Sequence, residues 1–166
     1  MLNPRDGAPP AAVWRPVRGG RGPRLNELNL RQIECVLARN HLGRVAFVDQ
    51  GRVELFPVHY VYADQVLYGR TASGTKYRSW QTHADVVLEV DESAGLFEWR
   101  SVIVRGTISI LRPQGPRAEP FAYWNAVAAI RTLIPAAFTE RDPMPYRHAV
   151  FRVAPVQWSG RQALPT

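Results

Sequence analysis

Short reversals between β-rich runs constrain this sequence more than any other feature. Arg44–Asp49 and Arg52–Tyr62 are joined across Asp49-Gln50-Gly51, and Ala63-Asp64-Gln65 then leads into a run from Val66 to Thr71. Connections this short join antiparallel neighbours, because a parallel crossover needs roughly a dozen residues or more. Val53 and Leu55 alternate with Arg52 and Glu54, as a half-buried strand requires. From Phe56 onward both faces are apolar or aromatic, so the same strand passes from exposed to covered. Pro57 has no N–H to give a ladder, which marks an edge, a bulge, or a place where something other than a strand lies alongside.

Val86–Glu92, Glu98–Leu111 with a bend at Gly106, and Arg147–Val153 bring the expected strands to six. After the last strand the chain winds down from Pro155 through Trp158-Ser159-Gly160-Arg161. Three helices interrupt them. Leu28–Arg39 carries Leu30, Ile33, Val36 and Leu37 at helical spacing, with Cys35 read as a packed thiol. Ser73–Ala84 is short, and Phe121–Ile134 is expected to plug one end of the structure, with Tyr123, Trp124, Val127, Ile130 and Ile134 able to face the core. A mainly β domain in which six antiparallel strands close as a small barrel, with helices at its flanks, satisfies these constraints.

Composition bounds the function classes. The chain has 166 residues, 46% hydrophobic and 21% charged, enough for one packed domain. Residues 1–24 read as a flexible Arg/Pro/Gly-rich arm, and residues 25–166 as the single domain. Within the arm, five arginines stand against Asp6, so it supplies +4 of the net +7. A domain left with so little excess charge argues against a nucleic-acid-binding barrel, a reading that rests on the arm alone. No apolar run approaches the ~20 residues of a spanning helix. With Cys35 the only cysteine, a soluble cytoplasmic protein is expected.

Several chemistries fail on pattern. His41, His59, His83 and His148 lack metal-site spacing and no HExxH occurs. Thr71-Ala72-Ser73-Gly74 lacks the first glycine of a nucleophile elbow. Glu89, Asp91 and Glu92 end a strand, where a solvated role suffices. Gly69-Arg-Thr-Ala-Ser-Gly-Thr-Lys76 has the glycine spacing of a phosphate loop, but Thr75 and Lys76 stand in the wrong order and an antiparallel strand leads in. Two readings of it stay open: an anion site built from free N–H groups, the hydroxyls of Thr71, Ser73 and Thr75 and the charge of Lys76, or a capped helix with an exposed lysine. Lys76 is the only lysine in the chain.

The order of Leu42-Gly43-Arg44-Val45-Ala46-Phe47, Pro57-Val58-His59-Tyr60-Val61-Tyr62, Leu67 to Lys76, Val87 to Glu92 and Trp99 to Gly106 resembles the pyridoxamine 5'-phosphate oxidase-like, FMN-binding split-barrel superfamily. The similarity is closest to its short branch related to nitroimidazole-resistance proteins. It runs from about Leu28 to Leu111, with a weaker echo in Val150–Arg161.

The resemblance implies a six-stranded split β-barrel and a homodimer holding two FMN molecules at its interface, with F420, FAD or haem as alternative cofactors. Val58, His59 and Tyr60 would lie against the isoalloxazine, and Thr71, Ser73, Thr75 and Lys76 would hold the phosphate. Trp99, Arg100 and Ser101 of the opposite subunit would cover the ring or its tail, with Arg161 returning nearby. The implied activity is a flavin oxidoreductase acting on a small molecule, or else a carrier or sensor without turnover. The arginine-rich substrate segment and the C-terminal Trp/Arg/His signature of the pyridoxamine phosphate oxidases are missing, so that particular reaction is not expected.

Overall fold

The computed structural model describes residues 23–81 and 84–165. Most of the proposed arm, together with His83, lies outside them. The order is β1 (Arg24–Glu27), α1 (Leu30–Arg39), β2 (Leu42–Asp49), β3 (Arg52–Ala63), β4 (Val66–Thr71), α2 (Thr75–Trp80), β5 (Ala84–Gly95), β6 (Glu98–Leu111), α3 (Pro120–Leu133) and β7 (Ala149–Leu164). Every ladder is antiparallel. The sheet has seven strands in the order β1-β7-β4-β3-β2-β5-β6, and a β6–β7 ladder returns the far edge to β7.

Six strands had been expected, so one is new. β1 adds to the C-terminal half of β7, pairing Arg24–Glu27 with Leu164–Arg161, and it takes in Arg24, the last residue assigned to the arm. β7 itself is longer than its sequence suggests. Pro155 and Gly160 look like breakers, yet the strand continues past both while pairing with β6. Gly160 is required there, since a Cβ would meet Leu28 and Ile33 at 2.9–3.0 Å. The bend at Gly106 is present as a register shift between Arg105 and Gly106.

Both tight turns take left-handed backbone at their centres, at Gln50 and Gly51 (φ 49° and 77°) and at Asp64 and Gln65 (φ 51° and 62°). That geometry matches the twist of the strands they join. α1 opens on a reciprocal cap between Asn29 and Gln32, two bonds of 2.9 Å. Its buried side is Ile33, Val36 and Leu37; Leu30 is exposed, and so is Cys35, contrary to the packed thiol expected. The interior holds Val45, Phe47, Val58, Tyr60, Leu88, Val102, Val104, Phe151 and Trp80 in one cluster.

α3 does not plug the barrel. Its Ala126, Val127 and Ile130 pack on Val61, Tyr68 and Val150, which point outward from β3, β4 and β7, and form a second cluster on the outer wall. Trp124, read as a possible core residue, is 59% exposed. Among the described residues, no helix is long and apolar enough to cross a membrane.

Candidate functional site

β3 and β4 form a fork. Their pairing runs from Ala63↔Val66 to Tyr60↔Gly69 and stops there. Beyond Tyr60, β3 stays paired with β2 through Val58, Pro57 and Phe56, whereas β4 stays with β7 through Arg70 and Thr71. The Tyr60 N–H donates to the His41 carbonyl on the β2 side (3.0 Å). Alternation therefore turns residues 57 and 59 toward the fork, and Pro57 is where the ladder can spare a donor. Gly69 closes the crotch, where a Cβ would stand 2.3 Å from the Phe151 ring and 2.5 Å from the His59 carbonyl oxygen.

α2 starts inside this opening. Its far end is fixed by Trp80, fully buried and edge-on to Phe47 and Phe151 at centroid distances of 5.6 and 5.2 Å. The Trp80 indole N–H has no partner, a polar cost accepted for that packing. A cavity of about 270 Å³ fills the fork. Phe56 to His59 form one wall, Arg70 to Lys76 the second, and Tyr146 with Arg147 the third.

The charge in this cavity is one-sided. The Lys76 ammonium lies 5.2 Å over the Phe56 ring. Burial, and next the charge of Arg147, hold its pKa below the ordinary lysine value. Among the described residues neither Lys76 nor Arg147 has a carboxylate partner, although Arg39, Arg44, Arg70, Arg100 and Arg152 all do. Hydroxyl groups surround them. Ser73 Oγ is 3.3 Å from His148 Nε2, while His148 Nδ1 lies 3.1 Å from the Tyr146 carbonyl and donates to it. Thr71 is buried, and the Thr75 hydroxyl accepts from Arg78 (3.4 Å). Two cations without carboxylate partners beside hydroxyl groups have the chemistry to receive a doubly charged anion.

Val58, His59, Thr71, Ser73, Thr75 and Lys76 all line this one cavity. Tyr60 does not join them through its side chain, which is 1% exposed in the core and donates its O–H to the Leu37 carbonyl (3.0 Å). Burial, with a lesser push from Glu92, drives its pKa well above the ordinary tyrosine value.

The remaining residues stand elsewhere. Ser101 and Arg161 are cross-strand partners on β6 and β7, and with Trp99 and Trp158 they line a separate cavity of about 450 Å³. Arg100 lies with Trp99 at a third cavity of about 210 Å³, donating to Gln162 (3.2 Å) and standing 3.7 Å from Glu92. The Ser101 hydroxyl donates to Glu89 (3.4 Å). Neither cavity shares a residue with the fork, so the residues expected at one site line three separate cavities of the chain.

Sequence reasoning missed Arg147, Tyr146 and Arg70. The first two come from the α3–β7 connector, which has no periodicity to announce what it contacts. Arg70 stands inside the Gly69–Lys76 segment that the sequence singles out, yet no role is assigned to it there.

A model of the family described as pyridoxamine 5'-phosphate oxidase matches residues 30–162. No curated protein matches significantly. Among solved structures, an FAD-binding protein from Mesorhizobium loti is 26% identical with a TM-score of 0.69, covering 84% of this chain and 99% of its own. The FAD-binding protein from Mycobacterium smegmatis is 24% identical at a TM-score of 0.63, over 84% of this chain and 100% of its own. A candidate 5-nitroimidazole antibiotic resistance protein from Bacteroides thetaiotaomicron is 17% identical at 0.64, over 86% and 90%.

Proposed function

We propose that this chain, which belongs to the pyridoxamine 5'-phosphate oxidase family, is a flavin-binding protein that grips the phosphate of FMN in the β3–β4 fork. The observation that carries this reading is the pair Lys76 and Arg147, two cations facing one cavity without a carboxylate between them. A phosphate monoester bears about −1.5 to −2 charge near pH 7 and offers acceptors to every hydroxyl on the rim. The Mesorhizobium loti relative, at 26% identity, is named for binding FAD, which supports a flavin in general.

The fork is too small for a whole cofactor. At about 270 Å³ it falls below the usual range for ligand pockets, roughly 300–1,000 Å³, and suits the ester and its tail. The head then needs a second surface. Trp99, Ser101 and Arg161 line a separate cavity that could supply one, and in a homodimer the partner would bring its copy to the fork. When bound, the flavin would supply two-electron redox chemistry to a small-molecule substrate. The protein's own part is to neutralise the ester with Lys76 and Arg147, to present Val58 and His59 alongside, and to exclude water with Phe56 and the aromatic cover.

Spectroscopy of the purified protein tests this directly. A flavin absorption spectrum, a released ligand of FMN mass and one ligand per chain are expected. A ligand of FAD mass would replace the mononucleotide, and a colourless protein that takes up neither flavin would end the proposal.

A further inference from the structure

Between α3 and β7 the chain runs from Ile134 to His148 without regular structure, held by a few turn bonds such as Asp142 N–H to Thr139 carbonyl and Arg147 N–H to Met144 carbonyl, both 3.0 Å. One side chain organises it. The Asp142 carboxylate accepts the backbone N–H groups of Phe138 (2.7 Å) and Met144 (2.8 Å). It also takes both arms of the Arg70 guanidinium, at 2.5 and 2.9 Å. Each side chain of the pair is 4% exposed. Phe138, at φ 61°, sets its ring 5.2 Å from the same guanidinium.

Arg70 is the β4 residue immediately before Thr71, at the mouth of the fork, and Arg147 follows Asp142 by barely more than a helical turn's length of chain. We infer that Arg70 and Asp142 are positioning residues for the anion site, a buried clasp that holds the connector against β4 so that Arg147 stays opposite Lys76.

This inference rests on the phosphate reading of the fork. Its physical basis is directional. Apolar packing would bury the connector more cheaply, since removing two charges from water is costly. A two-pronged guanidinium–carboxylate bond fixes orientation as well as distance, which packing does not. With both Nη atoms spent on Asp142, Arg70 keeps only Nε, which is buried and unpartnered. Arg70 therefore acts on an anion through Arg147 rather than as a third direct cation.

The single lysine makes the clasp measurable. Reductive methylation with labelled formaldehyde gives the full-length chain one side-chain resonance, from Lys76, besides its N-terminal amine. The other titratable groups lining the cavity are His59, Arg70, Tyr146 and Arg147. Removing the Arg147 charge with Arg147→Gln should raise the Lys76 titration midpoint and weaken binding of inorganic phosphate by about tenfold or more.

Asp142→Asn, which touches neither Lys76 nor phosphate, should produce both changes, and Asp142→Asn combined with Arg147→Gln should do no more than Arg147→Gln alone. Arg70→Lys keeps the charge, gives up the fork and should shift the midpoint in the same direction. Near-ultraviolet circular dichroism shows that each variant is folded. Folded Asp142→Asn and Arg70→Lys proteins with wild-type Lys76 midpoints would overturn the clasp, even if Arg147→Gln shifts it. Wild-type protein that binds no phosphate would overturn the reading of the fork instead, while the Lys76 midpoint would still decide whether Asp142 places Arg147.

Discussion

At the level of single residues, charge in the fork sets the expectations. Lys76→Ala removes a charge-assisted contact and should weaken flavin binding by about 1.5–3 kcal/mol, read by fluorescence titration. Anion binding should also move Lys76 in a definite direction. Burial and Arg147 now depress its pKa, so a bound phosphate should raise it back toward the ordinary lysine value, seen as a shifted midpoint.

Asp142 behaves oppositely. Arg70 holds its carboxyl well below its ordinary 3.8, helped by the two backbone N–H groups. Its stabilisation is therefore complete above that ordinary value and is lost as pH falls below it toward the folded-state pKa. Asp142→Asn should cost about 3–5 kcal/mol at pH 7, because Arg70 is left buried and unpaired. In denaturant titrations the gap between the two proteins should narrow progressively in acid. Lys76 was legible in the sequence because a lone lysine beside glycine and hydroxyl residues stands out. Arg147 was not, since it lines the fork from a connector with no periodic pattern, opposite residues far from it in the sequence.

Elements differ in how openly the sequence declares them. The hairpins at Gln50-Gly51 and Asp64-Gln65 were readable because β-rich runs meet at short turns where Gly51 and Asp64 tolerate left-handed backbone. α1 was readable from its spacing, give or take two residues at its cap. The full length of β7 was hidden because Pro155 and Gly160 break strands on average. Here Pro155 falls at the register shift against β6, and Gly160 makes room for Leu28 and Ile33. The placement of α3 was misread because an apolar helix face says that it packs, not on which side of a wall. Gly69 is the element-level test. Gly69→Ala sets a methyl group against the Phe151 ring and the His59 carbonyl, and should destabilise the protein by about 1–3 kcal/mol in thermal or urea unfolding.

For the molecule as a whole, flavin binding as proposed depends on association, the Trp99–Ser101 surface of one chain covering the fork of another. Gel filtration with light scattering should report twice the 18.7 kDa chain mass, and Trp99→Ala should weaken flavin binding although Trp99 lines no part of the fork in its own chain. A monomer binding flavin at full strength would contradict that expectation. The fork also carries a hazard that the sequence disarms. Where β4 departs, β3 presents a bare margin that a strand from another molecule could zip onto. Pro57 deprives such an intruder of a hydrogen-bond donor at the middle of the gap, which disfavours strand addition there. Restoring that donor, as Pro57→Val would, should turn the open margin of the fork into a nucleus for edge-to-edge aggregation.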